Sequence, residues 1–245
     1  YYACLIGHDP WGDFYQRDLE GAGVATNPEN RNYGKTGQCL VFITPDADRT
    51  LNTFLGISSA IGPAQVQEDL VAASHFVYLE GYLFSSDDGF AASIHAQEIA
   101  RRHGTSVSLT LSDPFMVSTF KDRFYTLIQK GVDVLFCNED EALAYTDAST
   151  REKAGELLSQ KAGITYITCG ADGVLVYAPN LRQHVPGVQV EAVDTTGAGD
   201  LFAGGALYGL THGYDPVDAA RLGSYAAAQV VARFGPRLDT SLADQ

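Results

Sequence analysis

The sequence predicts an α/β protein with a doubly wound, mostly parallel sheet flanked by helices, and three observations carry that expectation. From Val66 onward, short apolar runs of strand length alternate with longer segments of helical periodicity, the pattern of successive β-α-β units. Polar residues recur where those strands end, at Glu80, Asp113, Asn138, Thr168 and Asp200. Sheets of this kind bind ligands at the carboxyl ends of their strands. The third observation is the stretch Asp194-Thr195-Thr196-Gly197-Ala198-Gly199-Asp200, placed between an alternating segment at 188–193 and a long apolar segment from Leu201. It reads as a glycine-rich strand-to-helix turn.

Residues 1–6 have strand character, and Gly7-His8-Asp9-Pro10-Trp11-Gly12-Asp13 is rich in turn formers, so a loop is expected there. Residues 14–20 suit a helix stopped at Gly21 or Gly23. Residues 39–44 and 50–55 flank Pro45-Asp46-Ala47-Asp48, which predicts a hairpin. Residues 76–79 form a strand candidate, 90–103 a helix stopped by Gly104, and 107–111 a strand that runs into Ser112-Asp113-Pro114. A helix at 120–130, a strand at 132–137 and helices at 139–145 and 152–162 follow. The strand 164–168 is paired by 174–177 across Gly170-Ala171-Asp172-Gly173. After Asp200 the apolar residues continue on every side, as in a buried helix. Asp215-Pro216-Val217-Asp218 offers a cap, a proline at the first helical position and an acidic first turn for a last helix, which Gly235-Pro236 ends. With no internal repeat or low-complexity linker, residues 1–245 are expected to form one domain.

At 245 residues, 45% hydrophobic and 19% charged, the chain has the composition of a globular protein with a substantial core. Its formal charge of −14 argues against nucleic acid as a partner, because binding a phosphate backbone needs clustered Lys and Arg. A small-molecule ligand is expected instead. Cys4, Cys39, Cys137 and Cys169 form no Cys-x-x-Cys pair, and buried free thiols in a reducing cytoplasm are the plain reading. No apolar run approaches the ~20 residues of a membrane span, so no membrane partner is expected. The chain starts at Tyr1, without Met and already strand-like, and is expected to be N-terminally incomplete.

The chemistry at 194–200 follows from the helix that the turn opens. The first amides of a helix lack intrahelical partners and carry the positive end of the backbone dipole, so an anion can settle on them. Gly197 and Gly199 permit close approach, and Asp200 sets a carboxylate beside the same place, where it can take a proton from a hydroxyl attacking phosphorus. The bland alternative is a glycine turn that Asp200 merely caps. Asn138-Glu139-Asp140-Glu141 reads on its own as an N-cap followed by acidic first-turn residues. Thr168-Cys169-Gly170-Ala171-Asp172-Gly173 reads on its own as a turn between strands. His8, Asp9 and Asp13 are three polar residues in a turn, and solvation or capping suits them better than a metal.

Together these strings resemble the ribokinase-like, phosphofructokinase-B-type carbohydrate and nucleoside kinases. Asp194 to Asp200 is similar to that family's C-terminal signature, Asn138 and Glu141 match its Asn-x-x-Glu, and Thr168, Gly170 and Gly173 match its Thr-x-Gly-x-x-Gly, all in the family's order. Gly7, Asp9, Gly12 and Gly23-Val24 match a further Gly-x-Asp-x-x-Gly segment. The resemblance implies a ribokinase-like doubly wound fold with a small β lid from elements around 37–55. It implies an ATP-dependent kinase acting on a primary hydroxyl of a ribosyl compound, an adenosine-like nucleoside being favoured, with Asp200 as catalytic base and the amides of Gly197, Ala198 and Gly199 as anion hole. It places Thr168, Gly170 and Gly173 at the nucleotide, Asn138 and Glu141 near the phosphates, and Glu141 at Mg²⁺ indirectly, through water. Potassium beside Asp194 and Thr196 occurs in some members. Leu79-Glu80-Gly81-Tyr82, Ser112-Asp113-Pro114-Phe115 and Ala232-Arg233-Phe234-Gly235 look most like bacterial adenosine-kinase-like members, with ribokinase or another sugar kinase as the alternative.

The family's Gly-Gly motif and early Asp, which grip the acceptor hydroxyls, have no match before Tyr1. A non-catalytic nucleotide-binding remnant is therefore the second reading, and these 245 residues are expected to bind ATP·Mg²⁺ but to phosphorylate poorly. A monomer or homodimer in the cytoplasm is expected. A dinucleotide-dependent dehydrogenase is disfavoured, because the early Gly-x-Gly-x-x-Gly turn and its downstream acid are lacking.

Overall fold

The computed structural model describes every residue except 28–30, 45–48, 239–241 and 243–245. Two compact units divide it, one of residues 1–41 and 51–107, the other of 42–50 and 108–245. The turn predicted at Pro45-Asp46-Ala47-Asp48 lies outside the described residues. Its flanking strands β3 (Gln38–Ile43) and β4 (Arg49–Phe54) form the expected two-stranded hairpin.

In the first unit, β1 (Ile6–Gly7) pairs in parallel with β2 (Arg31–Asn32), and α1 (Pro10–Gly21) lies between them in sequence. Here the structure corrects two expectations. Residues 1–5 are not strand, and the predicted loop at 7–13 is largely the first turn of α1, because Asp9 is its N-cap and Pro10 its first residue. Both are turn formers, but together they also make a helix start. The Asp9 carboxylate accepts from the Gly12 amide at 2.8 Å, the Thr36 amide at 2.8 Å and the Thr36 hydroxyl at 2.7 Å. Those bonds hold its pKa down at about 2. Gly7 and Gly12 pack so closely that a Cβ on Gly12 would stand 2.2 Å from the Gly7 carbonyl oxygen. The Gly-x-Asp-x-x-Gly string is thus the wiring of a helix start. Asp13 is engaged by Arg31 at 2.7 Å, and among the described residues no three His, Cys, Asp or Glu are grouped to hold a metal ion.

Further along this unit come α2 (Glu68–Ala72), β5 (Phe76–Glu80) and α3 (Asp87–His103). Ser86 caps α3 through the Gly89 amide, and Gly104, left-handed at φ 73°, closes it as predicted. β6 (Ser106–Thr110) starts in this unit and continues into the second.

Six strands are neighbours in the order β10-β9-β8-β7-β6-β5. In the second unit β7 (Val132–Asn138) lies parallel to β6 and to β8 (Ala162–Thr168), with α4 (Pro114–Thr119), α5 (Lys121–Gln129), α6 (Glu139–Thr146) and α7 (Arg151–Leu158) in the crossovers. The single helix predicted at 120–130 is the second of two short ones. β9 (Val174–Ala178) returns antiparallel to β8 as expected, and an unforeseen strand, β10 (Leu181–Val185), pairs antiparallel with β9. The side chains of Leu109, Leu135, Tyr166, Ile167 and Val176 are wholly buried in this sheet. Each such apolar side chain is worth about 1.5–3 kcal/mol relative to exposure, which is why the near-continuous apolar runs of these strands were readable.

The chain ends in α8 (Ala198–Thr211) and α9 (Pro216–Val231), with Asp215 capping α9 through the amides of Val217 and Asp218. Two more expectations fail here. Residues 188–193 alternate without forming a strand, and Val188 and Val190 are exposed. α8 buries one side only, through Phe202, Ala203, Ala206 and Gly209, while Tyr208 is 56% exposed. Cys4 and Cys137 are buried as predicted, whereas Cys169 is half-buried and Cys39 exposed; all four are free thiols. No helix among the described residues is long and apolar enough to cross a membrane.

Candidate active site

The candidate site is built around the start of α8. Gly197 is its N-cap, at φ 81° and with no side-chain cap bond. Glycine is required there twice over, since a Cβ would also stand 2.8 Å from the Pro236 Cβ. The Ala198 amide reaches the Thr195 carbonyl only at 3.3 Å, and the space beside Gly199 is open. Asp200 is exposed in the same first turn. The helix thus presents its positive end without a capping side chain.

Asp194 fixes that turn from behind. It is 1% exposed, and its carboxylate accepts from the Thr196 amide at 2.8 Å and from the Gly235 amide at 2.9 Å. The amides of Val193 and Asp194 donate to the carbonyl of Val231, at the end of α9, at 2.8 and 3.3 Å. The Thr196 hydroxyl oxygen is buried without a hydrogen-bond partner. Gly235-Pro236, legible in sequence only as a helix stop, therefore also clamps the glycine turn.

An aromatic anchor that sequence reasoning missed seats α8 on the sheet. Phe202 meets Phe136 of β7 and Tyr166 of β8 edge-on, with ring centroids 6.2 and 5.7 Å apart, and those two rings stack at 5.4 Å. The Tyr166 hydroxyl donates to the Pro216 carbonyl at 3.0 Å, tying in α9. Spacing within one element cannot show a contact among three, so only the aromatic character of the residues was visible.

Asn138 ends β7 and caps α6 in a reciprocal box. Its side-chain oxygen accepts from the Glu141 amide at 2.8 Å, while the Glu141 carboxylate accepts from the Asn138 amide at 3.0 Å and from Asn138 Nδ2 at 2.8 Å. Glu141 is buried, and desolvation raises its pKa to about 7, against the lowering effect of the Asn138 backbone bond; the charges of Asp113 and Asp140 add to the rise. The geometry of this pair is that of the helix cap read in the sequence.

Thr168 ends β8 directly across from Asn138 in the strand register. The turn that follows closes with the Cys169 amide donating to the Gly173 carbonyl at 2.8 Å. Gly170, at φ 56°, borders open space. Gly173 is different: at φ 99° it is buried, and a Cβ would stand 2.1 Å from the Val185 carbonyl oxygen. Backbone packing alone demands that glycine. Asn138, Glu141, Thr168, Gly170, Gly173 and Gly197 to Asp200 all belong to the second unit. The strand pairing and the Phe202 anchor relate β7, β8 and α8 to one another.

Residues 1–242 match the family described as pfkB family carbohydrate kinase. The crystal structure of adenosine kinase from Sinorhizobium meliloti is similar at a TM-score of 0.93 and 35% identity, over 98% of this chain and 75% of that one. Adenosine kinase from Saccharomyces cerevisiae is 29% identical over 251 residues, which cover 96% of this chain and 72% of the yeast protein. Ribokinase from Staphylococcus aureus is 26% identical over 249 residues, 98% of this chain and 78% of that protein. The chain belongs to the pfkB carbohydrate kinase family, and it is a kinase of the sugar and nucleoside class with a ribokinase-like α/β fold.

Proposed function

We propose that the protein transfers the γ-phosphoryl group of ATP to a primary hydroxyl of a ribosyl compound, with an adenosine-like nucleoside as the favoured acceptor. The observation that carries this is the start of α8, a helix end left without a side-chain cap and with the exposed carboxylate of Asp200 in its first turn. In such transfers catalysis is mostly positioning and electrostatic stabilisation. The amides of Gly197, Ala198 and Gly199 take up charge on the phosphoryl group in flight, the Ala198 amide giving up its long bond to Thr195. Asp200 accepts the proton of the attacking hydroxyl. Thr168 and Gly170 border the nucleotide, and Gly173 shapes their turn from behind.

Mg²⁺ neutralises charge on the ATP phosphates when bound. Each Glu141 oxygen already accepts a bond from Asn138, which supports an influence on the ion through water and suits a cation that keeps much of its hydration shell. The buried, unpartnered Thr196 hydroxyl beside the Asp194 turn fits a monovalent cation such as K⁺. The hairpin of β3 and β4 serves as a lid, and the protein works in the cytoplasm as a monomer or homodimer.

The adenosine-like acceptor draws support from the likeness to the Sinorhizobium and yeast adenosine kinases. A sugar such as ribose is the second reading, favoured by the match to the staphylococcal ribokinase over nearly the whole chain. A coupled assay of ATP consumption with adenosine and ribose in parallel separates the two. Faster turnover with adenosine supports the first reading, and faster turnover with ribose replaces it by the second.

A further inference from the structure

Arg151 opens α7, outside every motif named above, and one side chain there joins three carboxylates. Its Nη1 lies 3.2 Å from Glu139 Oε2, in the first turn of α6, and 3.1 Å from Asp172 Oδ2, in the turn between β8 and β9; its Nε lies 3.3 Å from Glu152 Oε1. The side chain is 27% exposed. The two outer partners lie within the two strings assigned to the nucleotide and its phosphates: Glu139 follows Asn138, and Asp172 stands between Gly170 and Gly173.

The turn carrying Asp172 is held elsewhere by backbone packing and one imidazole. Gly173 packs on the Val185 carbonyl, and His184 Nε2 lies 2.6 Å from the Asp172 carbonyl oxygen. Its side toward α6 carries acidic groups, and without a cation Glu139, Asp172 and Glu152 would repel one another. Arg151 offsets part of that negative charge, and its planar guanidinium meets all three carboxylates from one fixed geometry, where a lysine ammonium is a more mobile point charge.

We infer that Arg151 is a positioning residue for the nucleotide: it holds the Thr168–Gly173 turn against the start of α6 and offsets part of the carboxylate charge gathered there. This rests on the assignment of that turn to ATP. Loss of the guanidinium lets the turn drift and leaves negative charge beside an anionic ligand, and both effects weaken ATP binding while leaving the base and the acceptor untouched.

The test compares Arg151→Ala, Arg151→Lys and Asp172→Asn with the unaltered protein, using calorimetric binding of ATP·Mg²⁺, the KM for ATP and for the acceptor, kcat and thermal unfolding. Arg151→Ala is expected to weaken ATP binding and raise its KM about fivefold or more, the size of one lost coupled interaction. kcat and acceptor KM should stay near the starting values. Arg151→Lys should restore part of the loss. Asp172→Asn cuts the tie to the turn but also removes one negative charge, so it should cost less than Arg151→Ala, and adding it to Arg151→Ala should cost nothing further. Unchanged ATP affinity in Arg151→Ala overturns the inference, as does a loss in Asp172→Asn greater than that in Arg151→Ala, or a fall in melting temperature with ATP affinity intact. A starting protein that binds no ATP removes the nucleotide assignment and this inference with it, whereas binding that ignores the substitutions removes this inference alone.

Discussion

Asp200 and Glu141 are both acidic first-turn residues, yet one is exposed at an uncapped helix end and the other is buried in a reciprocal cap. They should therefore fail differently. Asp200→Asn is expected to lower turnover by ~10²–10⁴, the usual contribution of a general base, with ATP affinity little changed; initial-rate kinetics beside calorimetry would show it, and near-normal turnover would remove Asp200 from the chemistry. Glu141→Gln can keep the bond to the Asn138 amide but not the one from Asn138 Nδ2, so its melting temperature should fall slightly while the Mg²⁺ concentration for half-maximal rate rises. An unmoved Mg²⁺ titration would leave Glu141 as a cap only. Asp9 has a different consequence. Its folded pKa of about 2 lies below the ordinary 3.8, so its stabilising effect is fully present above 3.8 and is lost as pH falls through about 2. The melting temperatures of the unaltered protein and of Asp9→Asn should differ most near neutral pH and converge toward pH 2.

Among the elements, α8 and α9 matter most, because they aim the glycine turn. A Cβ on Gly223 would stand 2.6 Å from the Phe202 carbonyl oxygen, and one on Gly205 would stand 2.9 Å from the Gly223 Cα, so these helices touch backbone to backbone. Gly223→Ala or Gly205→Ala should destabilise by ~1–3 kcal/mol, the range for overpacking. Gly204, on the same helix but facing open space, should gain roughly 0.5–1 kcal/mol on replacement by Ala. Thermal unfolding of the three variants checks both signs. What sequence could and could not show at this scale has a physical pattern. β7 and β8 were legible because burial on both faces makes their runs apolar, and α9 because Asp215-Pro216 is followed by an acidic first turn and a long apolar run, the support that Asp9-Pro10 lacked. Residues 188–193 misled because alternation reveals a period but not a ladder partner. Arg182, Gln183 and His184 hid β10, since an exposed terminal strand needs no apolar run.

For the molecule as a whole, the three kinase strings, 138–141, 168–173 and 194–200, were legible as short patterns in the right order, and they fall in one compact unit. The parts that hold them were less legible: the Phe136–Tyr166–Phe202 anchor, the Gly235-Pro236 clamp and Arg151 act between elements distant in sequence, where no local period exists. Together these parts form the assembly proposed to move a phosphoryl group from ATP to a ribosyl hydroxyl. That transfer is tested most directly by incubating the protein with ATP, Mg²⁺ and a panel of nucleosides and sugars and identifying the products by mass. The expected product is a monophosphate ester at a primary hydroxyl, formed fastest with an adenosine-like nucleoside and far more slowly in Asp200→Asn. ATP bound with no acceptor phosphorylated, or ester formation undiminished in Asp200→Asn, would contradict the proposal.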